Sequence, residues 1–238
     1  MKNKILFFLF FLLFKSNLFA DNLFIQAKDI TIDKNKETTI FNNEVKIKTD
    51  DNKNIQSDKA IYDRKNNFVK LEGNITATDN KKNIIKTNYA EYNDNTKVFK
   101  SVGVTKVVTS ENYKIEGKNV IFDNKNFIIK SEENAIITDL ENNKIFLNNF
   151  EYLSNKNIFK SIGLIELNDK MGNNYKFSQI YIDTKKKEIL GTDIKAFLND
   201  DSFKIHKDNK PRIFANTIQI DKKFSKFKKS NFTLCDYR

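Results

Sequence analysis

The chain is poor in the residues from which active sites and elaborate loops are usually made. Its 238 residues hold one proline, one histidine, one cysteine, six glycines and no tryptophan. A lone histidine, His206, excludes a histidine cluster and leaves a Ser-His-Asp triad or a Cys-His pair a single imidazole to be built on. A lone cysteine, Cys235, cannot make a structural zinc site, which takes several thiolates or imidazoles. No glycine-rich phosphate loop is present. Aspartates are frequent, but most fall in polar segments such as "TDNKK" and "FLNDD", where Asp and Asn favour tight turns. The acidic pairs Asp50-Asp51 and Asp200-Asp201 are adjacent residues, and a strand points neighbours to opposite faces. Carboxylate-pair hydrolysis is therefore disfavoured, and the sequence assigns no catalytic residue, no metal ligand and no cofactor.

What is present begins with an address. Met1 to Lys4 is a short basic opening, Ile5 to Phe14 is an unbroken run of ten apolar residues, and a polar break precedes Leu18-Phe19-Ala20. This is the pattern of a secretory signal peptide with cleavage expected after Ala20. Ten apolar residues fall short of the about 20 that a spanning helix needs. The segment takes three lysines and no acid with it, so a net charge of +11 becomes +8 in the exported chain. A basic exported protein points to anionic lipid head groups, not to nucleic acid, as its partner. The exported chain is expected outside the cytoplasm.

The strongest pattern is internal repetition. "DITID", "KAIYD", "YAEYN", "NVIFD", "NFEYL" and "IYID" place Ile32, Tyr62, Tyr92, Phe122, Tyr152 and Ile182 at successive intervals of thirty residues. A second block follows: "FVKLEGNITATD", "VFKSVGVTKVVT", "FIIKSEENAIIT" and "IFKSIGLIELND". Lys70, Lys100, Lys130 and Lys160 keep the interval, as do Gly73, Gly103 and Gly163, with Glu133 as the exception. Apolar and polar residues alternate, and β-branched and aromatic residues are plentiful, so each unit reads as two strands joined by polar turns. Strands of eight to ten residues would run about 26–33 Å at ~3.3 Å per residue. The expected class is all-β, a quasi-one-dimensional array of stacked two-strand units.

In the second strand of each unit one face is apolar with small gaps. Val69, Leu71 and Ile75 lie on it, as do Phe99 and Val107, Ile129 and Ile137, and Phe159 and Ile165. These nine are the candidates for lining a lipid-holding groove. Glycine and serine on that face fit two readings that the sequence leaves open: room for acyl chains, or close approach of two sheets around a dry core. The lysine column on the other face reads as a solvated surface. After about Leu198 the rhythm breaks, and Ile220 follows Ile182 by thirty-eight residues instead of thirty. The expected organisation is a signal peptide over 1–20, a repeat domain over 21–200, and last strands with a linker over 201–238.

The signal peptide, the "KAIYD…V.L.G" units and the tail "NKPRIFANTIQID…SNFTLCDYR" together resemble the N-terminal periplasmic part of the LptD family of outer-membrane lipopolysaccharide-assembly proteins, also called organic solvent tolerance proteins. The units alone fit equally the LptA bridge proteins and the LptC domain, which share the OstA-like β-jellyroll. The resemblance implies a non-catalytic lipopolysaccharide carrier that accepts its cargo from an LptA-like bridge by strand-edge pairing. It also implies that an outer-membrane barrel with a lipoprotein plug would follow, which makes the present sequence a fragment. A stand-alone LptA-like bridge is the alternative, and a structural exported β-solenoid is the next. "LFIQAKDITID" is the expected docking edge. In the family a cysteine just after the jellyroll pairs with one near the end of the barrel, and Cys235 matches its position, so the resemblance implies a disulfide to the barrel. Exposing an acyl chain to water costs about 0.8 kcal/mol per CH₂, or roughly 10 kcal/mol for fourteen carbons, so such a cargo needs a continuous apolar trough.

Overall fold

The computed structural model describes residues 23–50, 52–199, 211–221 and 223–234. The signal peptide, His206, Asp51, Asp200, Asp201 and Cys235 lie outside these residues. The described chain is all-β, without helix, in nineteen antiparallel strands. The first six are β1 (Leu23–Gln26), β2 (Asp29–Asp33), β3 (Thr38–Thr49), β4 (Asn54–Asp63), β5 (Phe68–Thr78) and β6 (Ile84–Asn93). Eight shorter strands follow: β7 (Val98–Val102), β8 (Val104–Val108), β9 (Lys114–Lys118), β10 (Ile121–Asp123), β11 (Ile128–Ser131), β12 (Ala135–Thr138), β13 (Lys144–Leu147) and β14 (Phe150–Leu153). The last five are β15 (Ile158–Asn168), β16 (Asn174–Asp183), β17 (Glu188–Phe197), β18 (Arg212–Ile220) and β19 (Ser225–Thr233).

The pairings resolve into two sheets that run in the same order, a β-jellyroll. Each long strand belongs to both. In β3, residues 38–42 pair with β2, whereas residues 46–49 pair with β1, and the register on β4 shifts between Asn42 and Val45. The same shift recurs between Gln56 and Lys59, Glu72 and Ile75, and Ile162 and Ile165. These β-bulges bend the strand from the first sheet into the second and form a spine down one side. Left-handed residues mark it at the repeat interval: Asn43, Gly73, Gly103, Gly163 and Asp193 all have positive φ. The repeated glycine is thus explained by the bulge and not by space for a ligand. Gly73 has φ +76°, and a Cβ there would lie 2.4 Å from Oδ2 of Asp58. At the fourth position of this series stands Glu133. There the strand breaks completely, leaving residues 132–134 outside any strand between β11 and β12.

The central units differ from the eight-to-ten-residue strands expected. β7 to β14 are three to five residues long because each strand is interrupted at the spine. Serines at the breaks replace the missing ladder bonds. Ser101 Oγ donates to Val120 O at 3.2 Å and accepts from Val120 N at 2.8 Å. Ser131 Oγ donates to Lys118 O at 2.6 Å, and Ser161 Oγ to Asn149 O at 2.7 Å. The Ser101 hydroxyl thus gives the Val120 N–H a partner, and the other hydroxyls add a bond to a backbone carbonyl at each break.

The thirty-residue period becomes two interior ladders. On the first sheet the cross-strand row runs Tyr62, Val69, Tyr92, Phe99, Phe122, Ile129, Tyr152, Phe159, Ile182, Ile189 and Ile220. On the second it runs Ile47, Ile55, Ala77, Ile85, Val107, Ile115, Ile137, Ile145, Leu167 and Tyr175. Nearly all of these side chains are buried and form one continuous core. The lysine column is on the outer face of the first sheet, where Lys70, Lys100, Lys130 and Lys160 alternate across strands with Glu91 and Glu151. β18 and β19 extend both sheets beyond β17, so the strands after the longer interval add to the same stack.

Turns repeat as faithfully as strands. At the far edge of the first sheet the left-handed residues are Glu37, Asn67, Lys97, Phe127, Asn157 and Lys187. Asp63 and Asp123 cap these turns by accepting from the backbone N–H of Asn66 and Asn126. At the far edge of the second sheet they are Asn52, Lys82, Asn112, Asn142 and Gly172. There Asp79, Asp139 and Asp169 hold the turn, and Asn83, Asn143 and Asn173 join it to the next. Asn143 Nδ2 donates to Asp139 at 2.7 Å, while its Oδ1 accepts from the Lys170 backbone N–H at 3.0 Å. Two kinds of contact, the sheet ladders and these turn-to-turn bonds, hold the units in line.

Candidate functional site

A cross-section of the molecule is a V. The spine joins the two sheets on one side, and the two rows of turns face each other across a mouth on the other. The mouth is closed over the N-terminal half and open towards the C-terminal half.

In the closed part, side chains from second-sheet turns reach first-sheet residues. Lys53 is fully buried, and its Nζ stands 4.8 Å and 4.9 Å from the ring centroids of Tyr92 and Phe122. Both rings present their electron-rich faces to the ammonium. Asp50 Oδ1 lies 2.6 Å from Nζ of Lys97, which also meets Asp94 Oδ1 at 2.8 Å. Burial pulls the Lys97 ammonium down, but its hydrogen bonds to the two carboxylates outweigh this and hold its pKa above the ordinary value. One turn further on, Lys81 Nζ donates to Ser154 O at 3.2 Å and sits 4.8 Å from the Phe127 ring centroid.

The open part is a cavity of about 370 Å³ between the sheets. Ile145, Leu167 and Tyr175 of the second sheet and Ile182, Ile189 and Ile220 of the first form its apolar interior. Asp139, Glu141, Asp169, Lys170, Lys187 and Lys223 surround it, with Tyr113 at its inner end. Burial, reinforced by Asp139, Asp183 and other carboxylates, pushes the Tyr113 phenol up to about 12. Burial and then Asp169 push Tyr175 up to about 12 as well. Both are neutral donors at any physiological pH. The volume is within the ~300–1,000 Å³ of ordinary small-ligand sites. The cavity has an apolar interior and a charged rim of both signs. Among the described residues no group of three or more His, Cys, Asp or Glu is arranged to hold a metal ion.

All nine groove candidates named from sequence face the space between the sheets. Val69, Leu71, Ile75, Phe99, Val107, Ile129, Ile137, Phe159 and Ile165 are each at most 3% exposed. None of them lines the inter-sheet cavity. The packed core of the closed half holds most of them. The cavity is lined instead by residues on the same ladders in later units, together with β18 and the turn after it. Sequence periodicity marked the correct face but carried no signal for where the sheets part, since that depends on the facing sheet.

A second concavity, of about 640 Å³, lies near the spine. Val104, Ile136, Phe146 and Leu164 make it apolar, with Glu116, Lys118, Glu166 and Lys176 around them. No inward residue of the first sheet borders it; outward residues of the second sheet do, together with the buried Ala135, Leu147, Ile165 and Phe177. Ile165 is the one groove candidate that touches it.

Each end of the stack is a strand with one neighbour per sheet among the described residues. β1 and β2 pair only with β3, and β19 only with β18. Residues 23–33, expected from sequence to be an edge, occupy one. Phe24, Ile30 and Ile32 are exposed there, and Phe224 and Phe232 at the other end.

No curated protein matches this sequence. Among solved structures a similar chain is LptH from Pseudomonas aeruginosa, the LptA-homologous periplasmic component of its lipopolysaccharide transport device. It is 12% identical, with 71% of this chain and 81% of that chain covered and a TM-score of 0.22. Residues 21–134, just under half of the chain, match the family model described as lipopolysaccharide-assembly, LptC-related.

Proposed function

We propose that this protein is a non-catalytic, periplasmic carrier of lipopolysaccharide, a bridge-type module that shelters acyl chains between its two sheets. The observation that carries the reading is the cavity bounded by Ile145, Leu167, Tyr175, Ile182, Ile189 and Ile220, open at the mouth of a jellyroll. The LptC-related match over residues 21–134 supports the same cargo. The cavity's apolar floor takes hydrocarbon, and Lys170, Lys187 and Lys223 at its rim suit the phosphates of a lipid head group. The strands β1/β2 and β19, which have one neighbour per sheet among the described residues, suit strand addition, by which jellyrolls of this kind would join into one longer trough. Exposed edges are otherwise an aggregation hazard.

The test is photocrosslinking. A benzophenone amino acid at Ile189 should form an adduct with purified lipopolysaccharide, and one at Lys70, on the outer face, should not. Absence of adducts at Ile189, Leu167 and Ile220 alike would refute the carrier reading in favour of a structural solenoid.

A second reading, the N-terminal part of an LptD-type assembly protein, rests on the tail "NKPRIFANTIQID…SNFTLCDYR". On that reading Cys235 forms a disulfide with a barrel, and the partners include a lipoprotein plug. The LptC-related match favours the bridge reading over it.

A further inference from the structure

The lysines that close the mouth are the same chemical groups that an anionic amphiphile would seek. Lys97 is held by one carboxylate of its own turn, Asp94, and by one from the opposite sheet, Asp50. Only the second contact spans the mouth. Lys53 spans it in the other sense, from a second-sheet turn to the rings of Tyr92 and Phe122 on the first. Lys81 spans it to Ser154 and Phe127. Three cross-mouth contacts thus fall on two successive second-sheet turns. Beyond them, where Tyr113 and the turns at 139–143 and 169–173 face the first sheet, the cavity is open.

We propose that these contacts are a latch: Asp50–Lys97, Lys53 between its two rings, and Lys81 on Ser154 hold the N-terminal half of the mouth shut. A phosphate-bearing amphiphile seated in the open half releases them by competing for the lysines. The proposal rests on the carrier reading for its cargo. Its physical content is a difference between two states of one device. With the mouth empty, lysine ammoniums are satisfied by carboxylates, a carbonyl and aromatic faces. With an amphiphile extended along the groove, its phosphates take the ammoniums and its acyl chains occupy the gap that the lysine stems had filled. A ligand shifts such an equilibrium only through contacts that differ between the states, and these lysines supply them. A free anion has the charge but no chain to fill the gap, so it should leave the mouth closed.

The test is a distance measurement across the latch in the full chain. Lys48→Cys and Thr96→Cys, in a Cys235→Ser background, carry paired spin labels on the second-sheet and first-sheet sides without touching the latch residues. The labelled protein alone should give one short, narrow distance. Purified lipopolysaccharide should add a longer population, and inorganic phosphate should not. Asp50→Asn with Lys97→Gln should raise the longer population roughly fivefold without lipid, as expected for loss of a partly exposed ion pair. Asp50→Asn alone, which leaves Lys97 on Asp94, serves if the double variant does not fold. An unchanged distance while lipopolysaccharide crosslinks at Ile189 would overturn the latch and leave the carrier reading standing. A longer population in the variants, with no lipopolysaccharide crosslinked at Ile189, Leu167 or Ile220 when it is supplied, would keep the latch and refute the carrier reading. Opening by inorganic phosphate alone would overturn the coupling to an amphiphile.

Discussion

Tyr152 and Phe159 stack across neighbouring strands with ring centroids 4.3 Å apart and planes 28° from parallel. They are the fifth-unit copy of a pairing that recurs along the whole first-sheet ladder. Phe159 also meets Tyr113 from the second sheet at 6.0 Å, so one ring ties the ladder to the facing sheet. Its removal takes away buried area, a ring stack and an inter-sheet contact together. Phe159→Ala should destabilise the fold by about 3–5 kcal/mol, measured by urea unfolding. A cost under about 1 kcal/mol would mean that the sheets do not pack there as described.

The bulge glycines separate two costs. Gly73→Ala brings a Cβ within 2.4 Å of Asp58 Oδ2 at a φ of +76°, whereas Gly103→Ala, at +80°, meets nothing within 4 Å. Gly103→Ala should cost about 1 kcal/mol, from the left-handed backbone alone. Gly73→Ala should cost more, about 2–3 kcal/mol. Equal losses in thermal unfolding would remove Asp58 from the account of the spine.

Asn143 closes its own turn on Asp139 and accepts from the backbone of the next turn at Lys170. Asn143→Ala abolishes both bonds and should cost about 1–3 kcal/mol. Because the contact lies between units, hydrogen exchange should quicken in both turns. Faster exchange in the 139–143 turn alone would show that the bond to Lys170 does not hold the units together.

Alkaline pH tests the cavity. Burial pushes Tyr113 and Tyr175 up to about 12 in the folded protein, against about 10 for a free phenol. Between these values the unfolded chain has lost protons that the native state keeps. Stability is therefore fully present below pH 10 and falls as pH rises towards 12. Tyrosinate absorbance should show late-titrating phenols in the wild type, and Tyr113→Phe with Tyr175→Phe should diminish that phase, leaving Tyr152, which burial also raises. If all phenols titrate together near 10 in the native protein, the burial described for these two rings is wrong.

Filling the cavity separates cargo from fold. Leu167→Trp places a larger apolar side chain against Ile145, its cross-strand neighbour on the cavity wall. Lipopolysaccharide crosslinking at Ile189 should fall about tenfold while thermal stability changes by less than the loss for Phe159→Ala. Undiminished crosslinking would place the lipid elsewhere.

Composition, periodicity and turn chemistry determined a good deal by themselves. An interval of thirty residues in register at Tyr62, Tyr92, Phe122 and Tyr152 requires identical units stacked side by side, because only then does each apolar face meet its copy. The alternation fixed which side chains point inwards, and the nine residues named as groove candidates are buried on that face, none of them at the inter-sheet cavity. Sequence reasoning misassigned the small residues. Gly73, Gly103 and Gly163 looked like gaps in an apolar face, but they are the points where a strand turns from one sheet to the other. Ser101, Ser131 and Ser161 looked like space and instead bond to broken backbone. Only the tertiary structure decided that the mouth is closed by Lys53, Lys81 and Lys97 and open beside Ile189 and Leu167. The physical reason is that repetition specifies neighbours within a sheet. Which turn faces which ring across the gap depends on how the two sheets bend and twist about the spine, and no local pattern encodes that.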